Sequence, residues 1–173
     1  METLKAIANR SSVRSYKEDQ ISRKELDQIL EAGKAAPVGM ALYDDLLIKV
    51  IQNEDYLKRL NKGASVVFNR EDASIFYGAP TAIMVCSKLS QFNLEQNNAA
   101  CVLENMILAA TDLGLGTVFI RSAVSLLSKD QSLLEALNLP DGFVPIAAMA
   151  VGYPDKNTPI KPKKHEIKVE WML

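Results

Sequence analysis

The chain has 173 residues, of which 48% are hydrophobic and 24% are charged, with 20 Lys and Arg against 21 Asp and Glu. This size and balance predict one globular domain over residues 1–173 and exclude a disordered chain or a coiled coil. The net charge of −1 argues against binding to nucleic acid, which depends on a basic surface. No apolar run reaches the length of a membrane-spanning helix, and no signal peptide is visible.

The cysteine and histidine content limits the metal chemistry. Cys86 and Cys101 lie in apolar contexts, which predicts reduced, buried thiols in a cytoplasmic protein. Two cysteines and one histidine cannot form a cysteine- or histidine-rich zinc site, so only carboxylate sites stay open. We therefore assign no metal-binding residue.

The first part of the chain predicts two helices separated by a loop. Thr3 is predicted to cap a short first helix, and residues 10–20 are a polar, basic loop. Ser22-x-x-Glu25 is a capping-box pattern. It predicts the start of a second helix, which ends at Pro37.

The rest of the chain alternates predicted strands and helices. Apolar runs rich in branched residues predict strands over 46–51, 81–86, 117–120 and 143–152. Apolar residues at helical spacing predict helices over 54–61, 94–113 and 129–137. Residues 62–77 are ambiguous and fit a lid or a dimer contact. This mixture predicts an α/β or α+β domain built around one sheet.

The C-terminal tail is basic over residues 156–164 and then alternates Ile167, Val169 and Trp171. Alternation of this kind predicts an edge strand. Little chain follows Trp171 to cover it, so we expect this side chain to pack against a second subunit.

A first candidate anion site lies near the N-terminus. Arg10 and Arg14 stand four residues apart, with Ser11 and Ser12 between them. Arginine forks and hydroxyl donors together can clamp a phosphate. The alternative is a solvated loop.

A second basic cluster lies in the tail at Lys161, Lys163 and Lys164. Adjacent ammonium groups repel unless an anion or water separates them, so the alternatives are an anion site and a solvated tail. If the fold joins this cluster to the N-terminal one, the two form a single anion site. His165, the single histidine, fits a surface residue better than a catalytic base, and we assign no catalytic side chain.

A third candidate follows the Gly-x-Gly motif that ends at Gly116. This motif lies between a predicted helix and a predicted strand, the reverse of the dinucleotide-binding order, so it indicates a helix stop. Arg121 and Ser122 come at the end of that strand, where ligand sites are common.

A fourth candidate is the loop over residues 35–44, which contains small residues, a proline and a glycine. It fits a loop that passes close to a flat ligand, or an ordinary connection between a helix and a strand.

Five segments, taken in order, resemble the nitroreductase family of FMN-dependent oxidoreductases. They are R-S-S-V-R-S-Y (10–16), K-A-A-P (34–37), Y-G-A-P-T-A-I-M-V (77–85), E-N-M-I-L-A-A-T-D-L-G-L-G-T (104–117) and L-N-L-P-D-G-F-V-P-I-A-A-M-A-V-G-Y-P (137–154).

The resemblance implies an α+β fold with a mixed sheet flanked by helices. It implies a homodimer with FMN at the subunit interface and a C-terminal tail that extends onto the partner. NADH or NADPH would reduce the flavin, and an oxidised acceptor such as a nitroaromatic or a quinone would reoxidise it.

By position in the family motifs, the resemblance implies residues that bind FMN. They are Arg10, Ser11, Ser12, Arg14, Arg121 and Ser122, with Lys161 and Lys163 at the phosphate and Lys164 as an alternative. Arg14 is expected to stabilise the negative charge of reduced flavin.

Two positions depart from the family pattern. Ser11 stands where the family usually has Arg or His, and Ala41 stands where it usually has an Asn that hydrogen-bonds the flavin. These departures leave a second hypothesis, a flavin-binding storage or regulatory protein with little turnover. A third is an anion-binding or interaction protein that shares only the fold.

Overall fold

The computed structural model describes residues 2–71, 74–155 and 166–172. It contains a four-stranded sheet with the strand order β1-β2-β4-β3. The strands are β1 (Leu46–Ile51), β2 (Thr81–Lys88), β3 (Gly116–Ile120) and β4 (Phe143–Gly152). Each strand runs antiparallel to its neighbours. Among the described residues, parallel pairing is limited to the isolated bridge between Ser12 and Thr117.

In the described residues six α-helices flank this sheet, as expected for an α+β fold. They are α1 (Thr3–Asn9), α2 (Arg23–Lys34), α3 (Glu54–Val67), α4 (Glu95–Asp112), α5 (Ser122–Leu127) and α6 (Gln131–Ala136). None of the helices in the described ranges combines the length and the apolar character needed to cross a membrane.

The sheet separates two hydrophobic cores. Alternate residues of β2 point to opposite faces, so Ile83 and Val85 join the core under α2 and α4, whereas Met84 and Cys86 join the core under α3, α5 and α6. Because both faces are covered, the strand is apolar throughout its buried length. Burial also raises the pKa of the Cys86 thiol to about 12.

The start of α2 follows its local sequence. The Glu25 backbone N–H donates to the Ser22 hydroxyl at 3.2 Å, and the Ser22 backbone N–H donates to the Glu25 carboxylate at 2.7 Å. The capping box is therefore confirmed. Farther along, Gly33 allows α2 to approach α4 closely, because a Cβ there would lie 2.7 Å from Cγ of Met106.

Several local predictions need correction. Thr3 is the first residue of α1 rather than its cap, and the N-cap residue makes no side-chain hydrogen bond. Helix α3 continues to Val67, past the predicted end, and so takes up part of the ambiguous segment. Helix α5 was not predicted at all. Cys101 is exposed on α4 because it lies on the side of the helix that does not face the sheet.

The edge strand predicted for the tail does not form within the single chain. Residues 166–172 pair with no strand in the described structure, because a strand requires a neighbouring backbone to hydrogen-bond. The alternating side chains are solvent-exposed, with Trp171 80% and Ile167 83% accessible.

Candidate functional site

The N-terminal basic segment, residues 10–16, is seated along β3. The backbone N–H of Val13 donates to the carbonyl of Thr117 at 2.8 Å, and the Val13 side chain is only 2% exposed. A Cβ at Gly116 would lie 2.8 Å from Cγ1 of Val13. The glycine that ends the Gly-x-Gly motif therefore lets the basic segment lie against the strand.

The same segment continues onto the turn after β4. The Lys17 N–H donates to the carbonyl of Tyr153 at 2.9 Å, and the Asp155 N–H donates to the carbonyl of Ser15 at 3.1 Å. These bonds place the N-terminal segment against residues 153–155, and the second basic cluster begins six positions after Asp155 in the sequence. Lys161, Lys163 and Lys164 lie outside the described residues, as does His165.

In this segment the buried side chains anchor the backbone, and the more exposed side chains carry the donor groups. Val13 and Tyr16 anchor it, and the Tyr16 hydroxyl donates to the carbonyl of Val13 at 2.7 Å. Burial raises the pKa of Tyr16 above its ordinary value, and the Arg14 charge opposes that rise. Arg10 and Ser11 are half-buried, whereas Ser12 and Arg14 are exposed. The donor groups at 10–14 are thus accessible from solvent.

Arg121 and Ser122 lie at the opposite end of β3. Arg121 is the N-cap residue of α5, and both side chains are exposed. Thr117, which pairs with Ser12, precedes Arg121 by four residues, or roughly 13 Å along an extended strand. The structure therefore distributes the candidate donors along β3 rather than gathering them at one point.

Two short 3-10 turns, Gly39–Ala41 and Tyr43–Asp45, make up the second half of the loop over residues 35–44 and its junction with β1. The Gly39 N–H donates to the buried Asn98 side-chain oxygen at 2.9 Å. Met40 and Ala41 both have left-handed backbone, with φ of 57° and 54°. The loop is therefore held at the first turn of α4.

This loop and the basic segment do not meet within one chain. Asn98 lies near the start of α4, whereas Thr117 follows its end. Asp112 lies 14 positions after Asn98, which corresponds to roughly 21 Å of helix. The two segments that the family resemblance associates with the flavin thus lie at opposite ends of one helix.

The donor set fits an elongated anionic ligand. Guanidinium and hydroxyl groups recognise phosphate and other oxyanions. Their distribution along the length of β3 suits a ligand with a phosphate at one end and a polar ring at the other. This chemistry matches that of FMN.

Tyr77 and Asn98 contact this region but were not predicted as site residues. The Tyr77 ring lies under the Arg14 guanidinium, with its centroid 5.8 Å from Cζ. The Asn98 side-chain oxygen accepts a hydrogen bond from the Gly39 N–H. The pair Tyr77-Gly78, ahead of Ala79-Pro80, was a readable turn signal. Asn98 is the last of four polar residues at the start of α4, so no local pattern distinguished it from its neighbours.

Comparisons with known proteins find relatives whose names include FMN or NAD(P)H. The chain is similar to a nitroreductase of Bacteroides fragilis solved with bound FMN, at 29% identity and a TM-score of 0.87, covering 100% of this chain and 99% of the other. It is 25% identical over 177 residues to the FMN reductase [NAD(P)H] of Bacillus subtilis, covering 94% of this chain and 70% of that protein. It is 29% identical over 157 residues to an Archaeoglobus fulgidus protein provisionally named NADH dehydrogenase/NAD(P)H nitroreductase, covering 88% and 86%.

The sequence model of the Nitroreductase family matches residues 7–153. This match contains the basic segment over residues 10–16, helices α2 to α6 and the four strands of the sheet. The chain belongs to the nitroreductase family.

Proposed function

We propose that this protein is an FMN-dependent oxidoreductase that accepts electrons from NADH or NADPH and delivers them to a small oxidised acceptor, such as a nitroaromatic or a quinone. The observation that carries the proposal is the seating of residues 10–14 along β3 through the Val13–Thr117 hydrogen bond. In this arrangement the cationic and hydroxyl donors of residues 10–14 lie in a row beside the strand, in a chain of the nitroreductase family. The relatives named for FMN and NAD(P)H chemistry support the same conclusion.

Residues of both basic clusters would hold FMN, and the bound flavin would supply the hydride and electron chemistry. Arg10, Ser11 and Ser12 would donate to the anionic part of the cofactor, together with Lys161 and Lys163. Backbone groups at Arg121 and Ser122, at the other end of β3, would contact its ring.

Arg14 has an electrostatic role. A fixed positive charge beside a group that becomes anionic on reduction stabilises the reduced form. Its exposure leaves the guanidinium accessible to a ligand lying along the segment. No acid or base side chain of this chain is needed for that role.

A homodimer explains why the two flavin-associated segments lie apart. Each site would take residues 10–14 from one copy and the loop around Gly39 from the other, because α4 separates them within a chain. The exposed apolar side chains of the tail, such as Trp171 and Val169, would be covered by the partner. We propose a cytoplasmic location, consistent with unpaired thiols.

The test is an absorption experiment. The purified protein is incubated with FMN, freed of unbound flavin and examined anaerobically before and after NADH or NADPH is added. We expect flavin bands that bleach with a nicotinamide and return when a quinone or nitroaromatic is added. Flavin bands that neither nicotinamide bleaches would favour the storage or regulatory hypothesis. A protein that takes up no FMN would contradict both.

A further inference from the structure

We infer that Tyr77 is a positioning residue for Arg14, and that its ring holds the guanidinium where the reduced cofactor needs a positive charge. This inference rests on the proposed function. Tyr77 begins the Y-G-A-P segment that resembles the family, and that resemblance assigned no role to its side chain.

The contact joins two separate parts of the chain. Cζ of Arg14 lies 5.8 Å from the centroid of the Tyr77 ring, within the range of about 6 Å in which a cation is attracted to an aromatic face. Arg14 belongs to the basic segment on β3, whereas Tyr77 lies between α3 and β2. The ring is therefore supplied by a part of the fold that makes none of the backbone bonds seating Arg14.

Tyr77 projects from an anchored turn. Ile75 and Phe76 are buried at 6% and 2% exposure, and the Ile75 N–H donates to the Asn61 side chain at 3.0 Å. Tyr77 itself is 38% exposed. The neighbours fix the backbone in the core while the ring faces outward to Arg14.

The backbone of the turn is one that few side chains adopt. Tyr77 has a φ of 55° and Gly78 a φ of 76°, and a left-handed bulky residue is uncommon because of its steric cost. The buried neighbours maintain this conformation. The left-handed pair turns the tyrosine out of the core, where Phe76 already fills the space.

The ring acts by preorganisation. A free arginine side chain loses rotamer freedom when a ligand immobilises it, and that loss weakens binding. Contact with Tyr77 restricts the guanidinium before the cofactor arrives. Loss of the ring would leave the Arg14 charge in place but mobile, so its stabilisation of an anionic ligand would weaken.

The decisive variants are Tyr77→Leu, which removes the aromatic face, and Tyr77→Phe, which keeps it. Both retain a side chain at the left-handed position, so they share its backbone cost. We expect Tyr77→Leu to weaken FMN binding roughly two- to fivefold and to lower the midpoint potential of the bound flavin. Tyr77→Phe should keep both the FMN affinity and the midpoint potential at their wild-type values.

A double-mutant cycle assigns the effect to Arg14. In an Arg14→Gln background, Tyr77→Leu should change neither FMN affinity nor potential, because the cation is already gone. An equal effect in both backgrounds would overturn the inference, since Tyr77 would then act independently of Arg14. A Tyr77→Phe variant as impaired as Tyr77→Leu would overturn it too, by assigning the role to the hydroxyl.

The chain contains a matched control. Nζ of Lys88 lies 5.3 Å from the Phe143 ring centroid, at the far end of β2 and roughly 23 Å along it from Thr81. Phe143→Leu removes a contact of the same kind away from the site, and we expect unchanged FMN affinity. Weakening equal to that of Tyr77→Leu would show a general effect of lost packing and overturn the inference.

A measurement without cofactor separates this inference from the proposed function. In the cofactor-free protein, the NMR signal of the Arg14 Nε–H group should carry a ring-current shift that Tyr77→Leu abolishes and Tyr77→Phe retains. A signal insensitive to Tyr77→Leu would overturn the positioning role. Failure to bind FMN would instead contradict the proposed function while this signal still reports on the contact.

Discussion

Val13 and Thr117 are joined by a backbone hydrogen bond of 2.8 Å, although 104 positions of sequence separate them. This bond places Arg10 to Arg14 beside the strand whose other end carries Arg121. The candidate site is therefore defined by one long-range contact, and its integrity can be tested at the residues around it.

Gly116 is the first test of this arrangement. A Cβ in Gly116→Ala would lie within 3.0 Å of three Val13 side-chain atoms, and a β-branched side chain has little freedom to move away. We expect overpacking to cost about 1–3 kcal/mol of the free energy of unfolding and FMN affinity to fall as the basic segment shifts. Urea denaturation and FMN titration measure the two effects.

Two further substitutions provide a rescue and a control for Gly116→Ala. Val13→Ala combined with Gly116→Ala removes the two contacts with the Val13 methyl groups and leaves only the contact with its Cβ at 3.0 Å. The double variant should therefore bind FMN more tightly than Gly116→Ala alone. Gly63→Ala introduces a Cβ 2.8 Å from a Leu133 methyl in the core away from the segment, and should leave FMN affinity unchanged. Wild-type FMN affinity in Gly116→Ala would show that the segment is not seated through this glycine.

The two basic clusters should act on the same phosphate. Replacing Arg10 and Lys163 together with Ala should weaken FMN binding by about 3 kcal/mol, because bonds between charged donors and phosphate are among the stronger hydrogen bonds. Lys58→Ala, which removes an exposed cation from an ion pair with Glu54 on α3, is the control. Isothermal calorimetry checks both, and unchanged affinity in the double variant would show that the phosphate lies elsewhere.

The tail should contribute to the dimer. Deletion of residues 166–173 removes the exposed Ile167, Val169 and Trp171 side chains, which we expect a second copy to cover. The deletion variant should be monomeric and lose FMN, as measured by light scattering after gel filtration and by flavin absorbance. Trp171→Ala should shift the equilibrium in the same direction to a smaller extent. A truncated protein that remains dimeric and yellow would refute this role.

Glu25 should make stability depend on pH. Its hydrogen bonds with Ser22, with a further one from Tyr153, hold the pKa of this carboxyl below its ordinary value of 4.5. A carboxyl with a lowered folded-state pKa stabilises the fold at pH above its unfolded pKa, and this contribution is lost as pH falls through the folded pKa. Wild-type stability should therefore decline in acid from about pH 5 downward.

The Glu25→Gln variant isolates that contribution. It should be less stable than the wild type at neutral pH by up to about 1 kcal/mol, because a neutral amide accepts weaker hydrogen bonds from Ser22 and Tyr153 than a carboxylate does. The difference should shrink in acid. Urea denaturation across pH measures it. Tyr153→Phe removes only the bond of 2.8 Å to Glu25 and should show a smaller effect. A pH-independent difference between Glu25→Gln and wild type would contradict this account.

Local signals in the sequence were sufficient for most elements. The apolar run of β2, the capping box of α2 and the helical spacing in α4 each depend on neighbouring residues. Helix α5 was missed because it has six residues and follows a strand directly, so no period is long enough to read. Cys101 was misassigned because the helix is apolar on several sides and only packing shows which side faces the sheet.

The candidate site divides in the same way. The residue types at 10–14 and at Arg121 and Ser122 predict anion binding without any structure, because guanidinium and hydroxyl groups carry that chemistry wherever they lie, and this stays a prediction. What the sequence by itself determined was therefore most of the elements, the family and a set of candidate donors. Only the tertiary structure decided that Ser12 meets Thr117, that Tyr16 meets Pro154 and that Arg14 lies over Tyr77. Such contacts join segments that are distant along the chain, and they arise from packing against the sheet, for which no local pattern exists.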